Sequence, residues 1–283
     1  MFNKMLNQDS SISFEVFPPK KEDAFADCFT VLDSLATLSP DFISVTYGAG
    51  GSNSKKTVEI ASYIQNTLNI DAMAHMTCVG STEDEILKVT RELEAEGVRH
   101  VLALRGDKPR DMSDEQFEKR VFPHATDLIR FLNENTHLDV SASCYPEKHP
   151  EAMSMDSDLA FMKMKQDMGA KMFISQLFFD NADFYRFVER AHQAQISVPI
   201  VAGIMPITSA KQIGSTVTLA GSSVPKALAD ICARYGEDPA AMRAAGIEYA
   251  IKQINDLRKC GMGHIHIYCM NKAEITKEIC SAI

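Results

Sequence analysis

The sequence predicts an α/β protein folded as a (β/α)8 barrel of the TIM type, a single domain over residues 1–283. Three observations predict it. Eight short apolar or β-branched runs alternate with segments of helical periodicity along the chain. The connections are too short to hold a separate domain, and eight units favour closure over a doubly wound open sheet. The chemically suggestive residues fall on, or just beyond, the ends of those runs, where barrels of this kind gather their active sites.

The elements follow in order. Residues 11–17, SISFEVF, read as a strand stopped by Pro18-Pro19, and Phe25, Cys28, Phe29, Leu32 and Leu35 have helical spacing within 21–38. A second strand over 41–47 leads into the glycine-rich segment 48–52, which lacks both GxGxxG and the phosphate-loop lysine. A helix over 54–68 and a strand over 71–78 come next, then a helix opened by a Thr82/Glu85 capping box and closed at Gly97. The run 100–106 reads as a strand buried on both faces. Residues 108–120 are polar and long enough for a mobile or lid-like loop. Helices over 125–135, 156–168 and 183–195 alternate with strands over 139–145, 172–179 and 198–205. Helical patterns over 209–220, 224–235 and 239–259 precede a last strand, 264–269, and a last helix, 272–282.

Composition narrows the function. With 45% hydrophobic and 24% charged residues the chain is ordinary for a soluble globular protein, which excludes disordered and fibrous classes. No apolar run is long enough to span a bilayer, and the amino-terminal segment has no signal-like apolar region, so a cytoplasmic protein without membrane association is expected. A formal charge of −9 argues against a nucleic-acid surface. Seven scattered cysteines without a CxxC pair point to reduced thiols, and to neither a disulfide framework nor a metal site.

Several residues have two readings. Glu15 stands among Phe14, Val16 and Phe17; it faces solvent at a strand edge or a cavity, where a carboxyl in apolar company becomes a proton donor. Arg105-Gly106-Asp107 is a polar turn, an adhesion tripeptide if the protein is exported, or part of a site at a strand end. A lone His75 in an apolar strand is more often a core residue than a catalyst. Gln176 satisfies backbone groups or reads a ligand. Asp158 and Lys165, seven residues apart, share nearly one helix face. Convergence of strand ends on one face favours the site readings.

With those residues in place, the chain resembles the methylenetetrahydrofolate reductases, specifically the short bacterial form made of the catalytic domain only. The motifs that carry the resemblance are SFEVFPPK at 13–20, SVTYGAGG at 44–51, HMTC at 75–78, ALRGD at 103–107, YPEKHPE at 145–151, SQLFFD at 175–180, GIMPI at 203–207 and IHIYCMNKAE at 265–274. They occur in order along nearly the whole chain.

The resemblance implies an FAD enzyme that takes hydride from NADH or NADPH and reduces 5,10-methylenetetrahydrofolate to 5-methyltetrahydrofolate, supplying methyl groups for methionine synthesis. It also implies a homo-oligomer. By the same resemblance, Glu15 assists protonation and opening of the substrate's five-membered ring, and Asp107 is a catalytic carboxylate beside flavin and folate. Gln176, Gln212 and Lys272 stand at folate positions, and Thr46 with Gln176 at nicotinamide positions. Tyr47, Ala49, His75, Arg105 and Gly106 match flavin contacts, as do Tyr145, His149, Ala152, Asp158 and Lys165. The cations Arg105 and Lys165 suit phosphate or ribityl oxygens, and Asp107 suits a cationic iminium intermediate of the substrate.

The chain also departs from the family pattern. Phe161 and Met164 replace an asparagine and an arginine on the flavin-contacting helix, Lys272 replaces a folate-binding arginine, and Thr216 stands where an aromatic helps to hold the nucleotide. An altered affinity or preference for pyridine nucleotides is expected.

Overall fold

A computed structural model describes residues 8–19, 25–47, 54–109 and 111–283. Eight parallel strands pair in sequence order and close, β1 to β8, into a barrel. The strands are β1 (Ser10–Val16), β2 (Phe42–Val45), β3 (Asp71–Thr77), β4 (His100–Leu104), β5 (Asp139–Cys144), β6 (Phe173–Ser175), β7 (Ile200–Ile204) and β8 (Gly263–Tyr268). Between them run α1 (Phe25–Ala36), α2 (Ser54–Ser62), α3 (Glu83–Ala95), α4 (Asp114–Glu118), α5 (Ala125–Asn135), α6 (Met155–Asp167) and α7 (Asn181–Gln193). The chain continues through α8 (Ala210–Ala220), α9 (Lys226–Tyr235) and α10 (Pro239–Lys259) before β8, and α11 (Ala273–Cys280) after it.

The period-two alternation of each strand divides the core in two. Outward residues such as Phe14, Ile43, Val101, Val140 and Ile265 pack against the helices. Inward residues Phe42, Met73, Leu102, Met172, Ile174 and Val201 fill the barrel. β1 and β8 break that apolar filling: their register pairs Ser11 with His264, Ser13 with His266 and Glu15 with Tyr268. The interior is therefore apolar on most strands and polar along one seam.

Helix ends follow the signals in the sequence. Thr82 and Glu85 form the expected reciprocal capping box on α3, and Asp238 caps α10, with Pro239 at its first position. The polar stretch 108–120, expected as a lid-like loop, instead carries α4, a short helix with its own Ser113/Gln116 capping box. The helix expected over 54–68 ends in a π-helical turn, Tyr63–Thr67.

The strand expected over 172–179 pairs only at Phe173–Ser175. Beyond it Leu177, Phe178 and Phe179 remain buried because they pack under helices, with Phe178 stacked on Phe184 at 4.6 Å and 4°. Side chains of α10 replace the missing sheet partners: Gln253 Nε2 donates to Phe178 O at 3.0 Å and Tyr249 OH to Phe179 O at 2.6 Å. Gln176 accordingly sits just past the strand end, in the mouth of the barrel.

That bracing helix approaches the β7–α8 connection closely at Gly246. A Cβ there would lie 1.8 Å from Ile207 O. Alanine favours helix by about 1 kcal/mol over glycine, but a backbone clash of that size outweighs it. Gly246→Ala is expected to destabilise the protein by about 3 kcal/mol, read as a Tm lowered by roughly 10 °C.

Candidate active site

Glu15, His75 and His266 meet where β1, β3 and β8 leave the barrel interior. Glu15 Oε2 lies 3.4 Å from His75 Nε2 and 3.9 Å from His266 Nε2. The Glu15 side chain is 20% exposed, so it faces the mouth and a ligand can reach it. This resolves its two readings: the carboxylate points inward, towards two imidazoles. His75 is buried, and its Nε2 has no hydrogen bond beyond that approach to Glu15. Burial pushes the His75 pKa below 6.5, with the Glu15 charge opposing and His266 reinforcing the shift. The His75 ring is therefore neutral at pH 7.

His75 is not alone: the barrel brings His266, 191 residues away in sequence, beside the same carboxylate. The signal was present in GHIHIY: alternation within a strand places His264, His266 and Tyr268 on one face. Among the described residues no cluster of His, Cys, Asp and Glu has the arrangement of a metal site.

A second group forms at the ends of β4 and β5. Gly106 has φ +84°, and a Cβ there would lie 2.7 Å from Val79 Cγ1, so the tripeptide is a tight glycine-requiring turn. Arg105 Nη1 and Nη2 donate to Glu151 Oε2 and Oε1 at 2.5 and 2.8 Å, and Nε to Gly106 O at 3.3 Å. This fork raises the Arg105 pKa and lowers that of Glu151. Among the described residues, two of the five guanidinium N–H groups have no acceptor. Asp107 is exposed beyond the turn, and Lys108 pairs with Asp114 of α4.

After β5, Tyr145 meets the edge of His149 at 4.6 Å and 73°. Burial pushes the Tyr145 phenol up to about 12 and the His149 pKa down. The β5–α6 turn is held from within. His149 N donates to Asp158 Oδ2 at 2.8 Å, Glu151 N to His149 Nδ1 at 3.1 Å, and Lys148 Nζ to Ala152 O at 2.6 Å. Lys165, half-buried on α6, donates to Ser143 O at 2.8 Å. Burial lowers its pKa, against the pull of Cys144 and Asp158. Asp158 and Lys165 thus share the expected face but serve different partners.

The remaining expected residues lie around this mouth. Gln176 Oε1 accepts from Leu177 N at 2.9 Å, and its amide nitrogen has no acceptor among the described residues, so it both satisfies backbone and offers donors. Gln212 Oε1 accepts from Thr208 N at 2.9 Å. Thr46 is tied to the barrel through its backbone, its N donating to Val16 O at 2.9 Å. Tyr47 lines a cavity of about 680 Å³ with Val79, Gly80, Glu85 and Met112. Lys272 is exposed at the start of α11, and Ala49 lies outside the described residues. Of the departures, Phe161 and Met164 are exposed on α6, the former 6.0 Å from the His124 ring, and Thr216 is buried with Oγ1 3.8 Å from Met205 Sδ.

Burial lowers the pKa of four histidines, His75, His100, His149 and His264, from 6.5. Between 6.5 and each lower folded value the unfolded chain binds more protons than the native one, so stability is lost as pH falls. Tm is expected to decline as pH drops below 6.5, and His75→Gln to flatten that decline. A Tm independent of pH in this window would contradict the burial of these rings.

The profile of the family described as methylenetetrahydrofolate reductase matches residues 1–283. The 5,10-methylenetetrahydrofolate reductase of Escherichia coli K12 is 33% identical over 273 residues, 96% of this chain and 90% of that protein. A methylenetetrahydrofolate reductase (NADH) of Arabidopsis thaliana is also 33% identical over 273 residues, 93% of this chain and 46% of the plant protein. Among solved structures, a Clostridium thermocellum protein described as binding two copies of 5-methyl-5,6,7,8-tetrahydrofolic acid superposes with a TM-score of 0.70. It covers 99% of this chain and 96% of its own at 16% identity, a likeness of fold. A family profile spanning the chain, and relatives sharing a third of its residues over nearly all of it, place the chain in the methylenetetrahydrofolate reductase family.

Proposed function

We propose that this chain reduces 5,10-methylenetetrahydrofolate to 5-methyltetrahydrofolate with bound FAD and with NADH or NADPH as donor, in the cytoplasm and as a homo-oligomer, feeding methionine synthesis. Membership in the family and the names of its relatives support the reaction, and the plant relative's name supports NADH as one donor. The observation that carries the reading is the Glu15 carboxyl, held in the barrel mouth beside two imidazoles.

The residues present fit a flavin dinucleotide. Lys165 is a half-buried cation whose hydrogen-bond partner among the described residues is the Ser143 carbonyl, and His75 Nε2 is buried without a hydrogen bond among those residues. Arg105 and Lys165 would hold phosphate or ribityl oxygens, with Tyr145, His149, Ala152, Asp158, Thr46 and Tyr47 completing the cradle. A flavin held there would supply the hydride-transfer chemistry between nicotinamide and folate.

The chain's own groups supply the proton chemistry and the orientation. Glu15 gives a proton to a ring nitrogen of the folate, which opens the five-membered ring to a cationic iminium. Asp107, exposed at the same mouth, offsets that positive charge. Gln176, through its amide nitrogen, together with Gln212 and Lys272, orients the pterin and the tail. Lys272 offers a point charge where a fork would bind in two places, so it holds a carboxylate less specifically.

Incubation with NADH and 5,10-methylenetetrahydrofolate should yield 5-methyltetrahydrofolate, identified by mass; recovery of unchanged folate would refute the assignment. Because Thr216 offers no ring to stack on a nucleotide, the kcat/KM values for NADH and NADPH should differ little. A strongly NADH-selective ratio would contradict that expectation.

A further inference from the structure

The polar seam of the barrel contains a histidine that the proposed chemistry leaves without a role. His266 is fully buried, one inward pair below Glu15 on β8. Its ring is fixed on four sides. Nδ1 lies 2.7 Å from Ser13 Oγ, Nε2 lies 3.3 Å from Ser44 Oγ, Phe42 stacks on its face at 5.6 Å and 15°, and Tyr268 meets it edge-on at 5.5 Å.

These contacts also bear on the tautomer. The one hydroxyl hydrogen of Ser13 has two acceptors in reach, His266 Nδ1 at 2.7 Å and Ile265 O at 3.2 Å. Given to the nearer, it leaves the ring's own proton on Nε2. Nε2 is then a donor facing Ser44 Oγ and, at 3.9 Å, Glu15 Oε2. His75 Nε2 approaches that same oxygen from β3. The other titratable neighbours are committed elsewhere: Tyr268 OH donates to Ser175 O at 2.7 Å, and Cys269 Sγ to Glu15 O at 2.8 Å. Ser13 and Ser44 give both ring nitrogens a partner, so the buried imidazole is held in one orientation with its Nε2 edge towards Glu15.

We propose that His266 is a positioning residue, its tautomer set by Ser13 and its ring plane by Ser44 and Phe42, which aims the Glu15 carboxyl for proton transfer to the substrate. The inference rests on the reading of Glu15 as proton donor in folate reduction. It is tested on the FAD-loaded enzyme by following the two half-reactions separately in anaerobic stopped flow.

Ser13→Ala and His266→Asn are expected to slow flavin reoxidation by 5,10-methylenetetrahydrofolate by about tenfold to a hundredfold. Reduction by NADH should stay within about twofold of wild type. Both variants should also shift the pH limb of reoxidation that Glu15→Gln abolishes. His266→Gln, whose amide nitrogen reaches the place of Nε2, should restore most of the rate. In a Glu15→Gln background Ser13→Ala should cost nothing more, because it acts through the missing carboxyl. Should Ser13→Ala fold poorly, Ser44→Ala removes the partner of Nε2 instead and carries the same expectation. Equal slowing of both half-reactions, or additive losses in the Glu15→Gln background, would overturn the proposal and leave His266 a core residue. If wild-type reduced flavin is not reoxidised by the folate at all, the functional reading itself falls, a result distinct from either.

Discussion

Replacing Glu15 by glutamine is expected to slow the reaction of reduced enzyme with 5,10-methylenetetrahydrofolate by about 100-fold or more, while reduction by NADH proceeds within about twofold of wild type. Glutamine keeps the volume and the hydrogen-bonding reach of the side chain, so His75 at 3.4 Å and His266 at 3.9 Å retain a polar neighbour. What it lacks is a transferable proton. The loss therefore falls on the half-reaction that needs one, and a ratio of the two rates separates chemistry from architecture. Equal slowing of both would mean that Glu15 holds the two imidazoles in place, and that the proton comes from elsewhere.

The second large effect concerns Lys165. Its ammonium, on a half-buried side chain, donates to Ser143 O at 2.8 Å, and desolvation pushes its pKa down. A cation held there costs stability, because desolvation outweighs one carbonyl contact and the pull of Asp158. Lys165→Met removes the charge and keeps most of the volume. FAD affinity is expected to fall by about tenfold to a hundredfold, the value of a charge-assisted bond, while the cofactor-free protein becomes as stable as wild type or more so. Fluorescence titration of FAD and calorimetry of the cofactor-free protein measure the two. Unchanged affinity with lowered Tm would make Lys165 a structural tether of α6 to β5.

The closed barrel was legible because each strand announces itself locally. The apolar runs before Arg105 and within 71–78 stand out from their flanks, and Thr82/Glu85 and Asp238-Pro239 mark helix starts by their own capping chemistry. Where apolarity and pairing part company the reading overran. Leu177 to Phe179 look like strand because they are buried, yet their carbonyls are satisfied by side chains distant in sequence: Ser222 at Leu177 O, Gln253 at Phe178 O and Tyr249 at Phe179 O. The polar segment after Asp107 looked like a lid because a one-turn helix has too few residues to show a period, although Ser113 and Gln116 carried its cap.

The site was legible residue by residue and less so as an arrangement. Glu15, Arg105, Tyr145 and Gln176 were visible as polar groups on or just beyond strands, and Lys165 on a helix face shared with Asp158. Their partners were not, since closure of the barrel alone decides that His266 comes beside Glu15 across 251 residues, and that Glu151 rather than a ligand holds Arg105. The Arg105–Glu151 fork matters for the expected role, because it leaves the guanidinium two N–H groups without an acceptor among the described residues and a fixed plane with which to meet a ligand.

The central claim, that a flavin at this mouth passes hydride from nicotinamide to folate, is tested most directly by an anaerobic visible spectrum of the FAD-loaded protein. It is recorded after addition of NADH and again after addition of 5,10-methylenetetrahydrofolate. The account predicts bleaching by the first and return of the oxidised spectrum with the second. Bleaching without return would contradict the folate assignment, and failure of the protein to bind FAD would contradict the cofactor cradle built on Lys165, Arg105 and Tyr145.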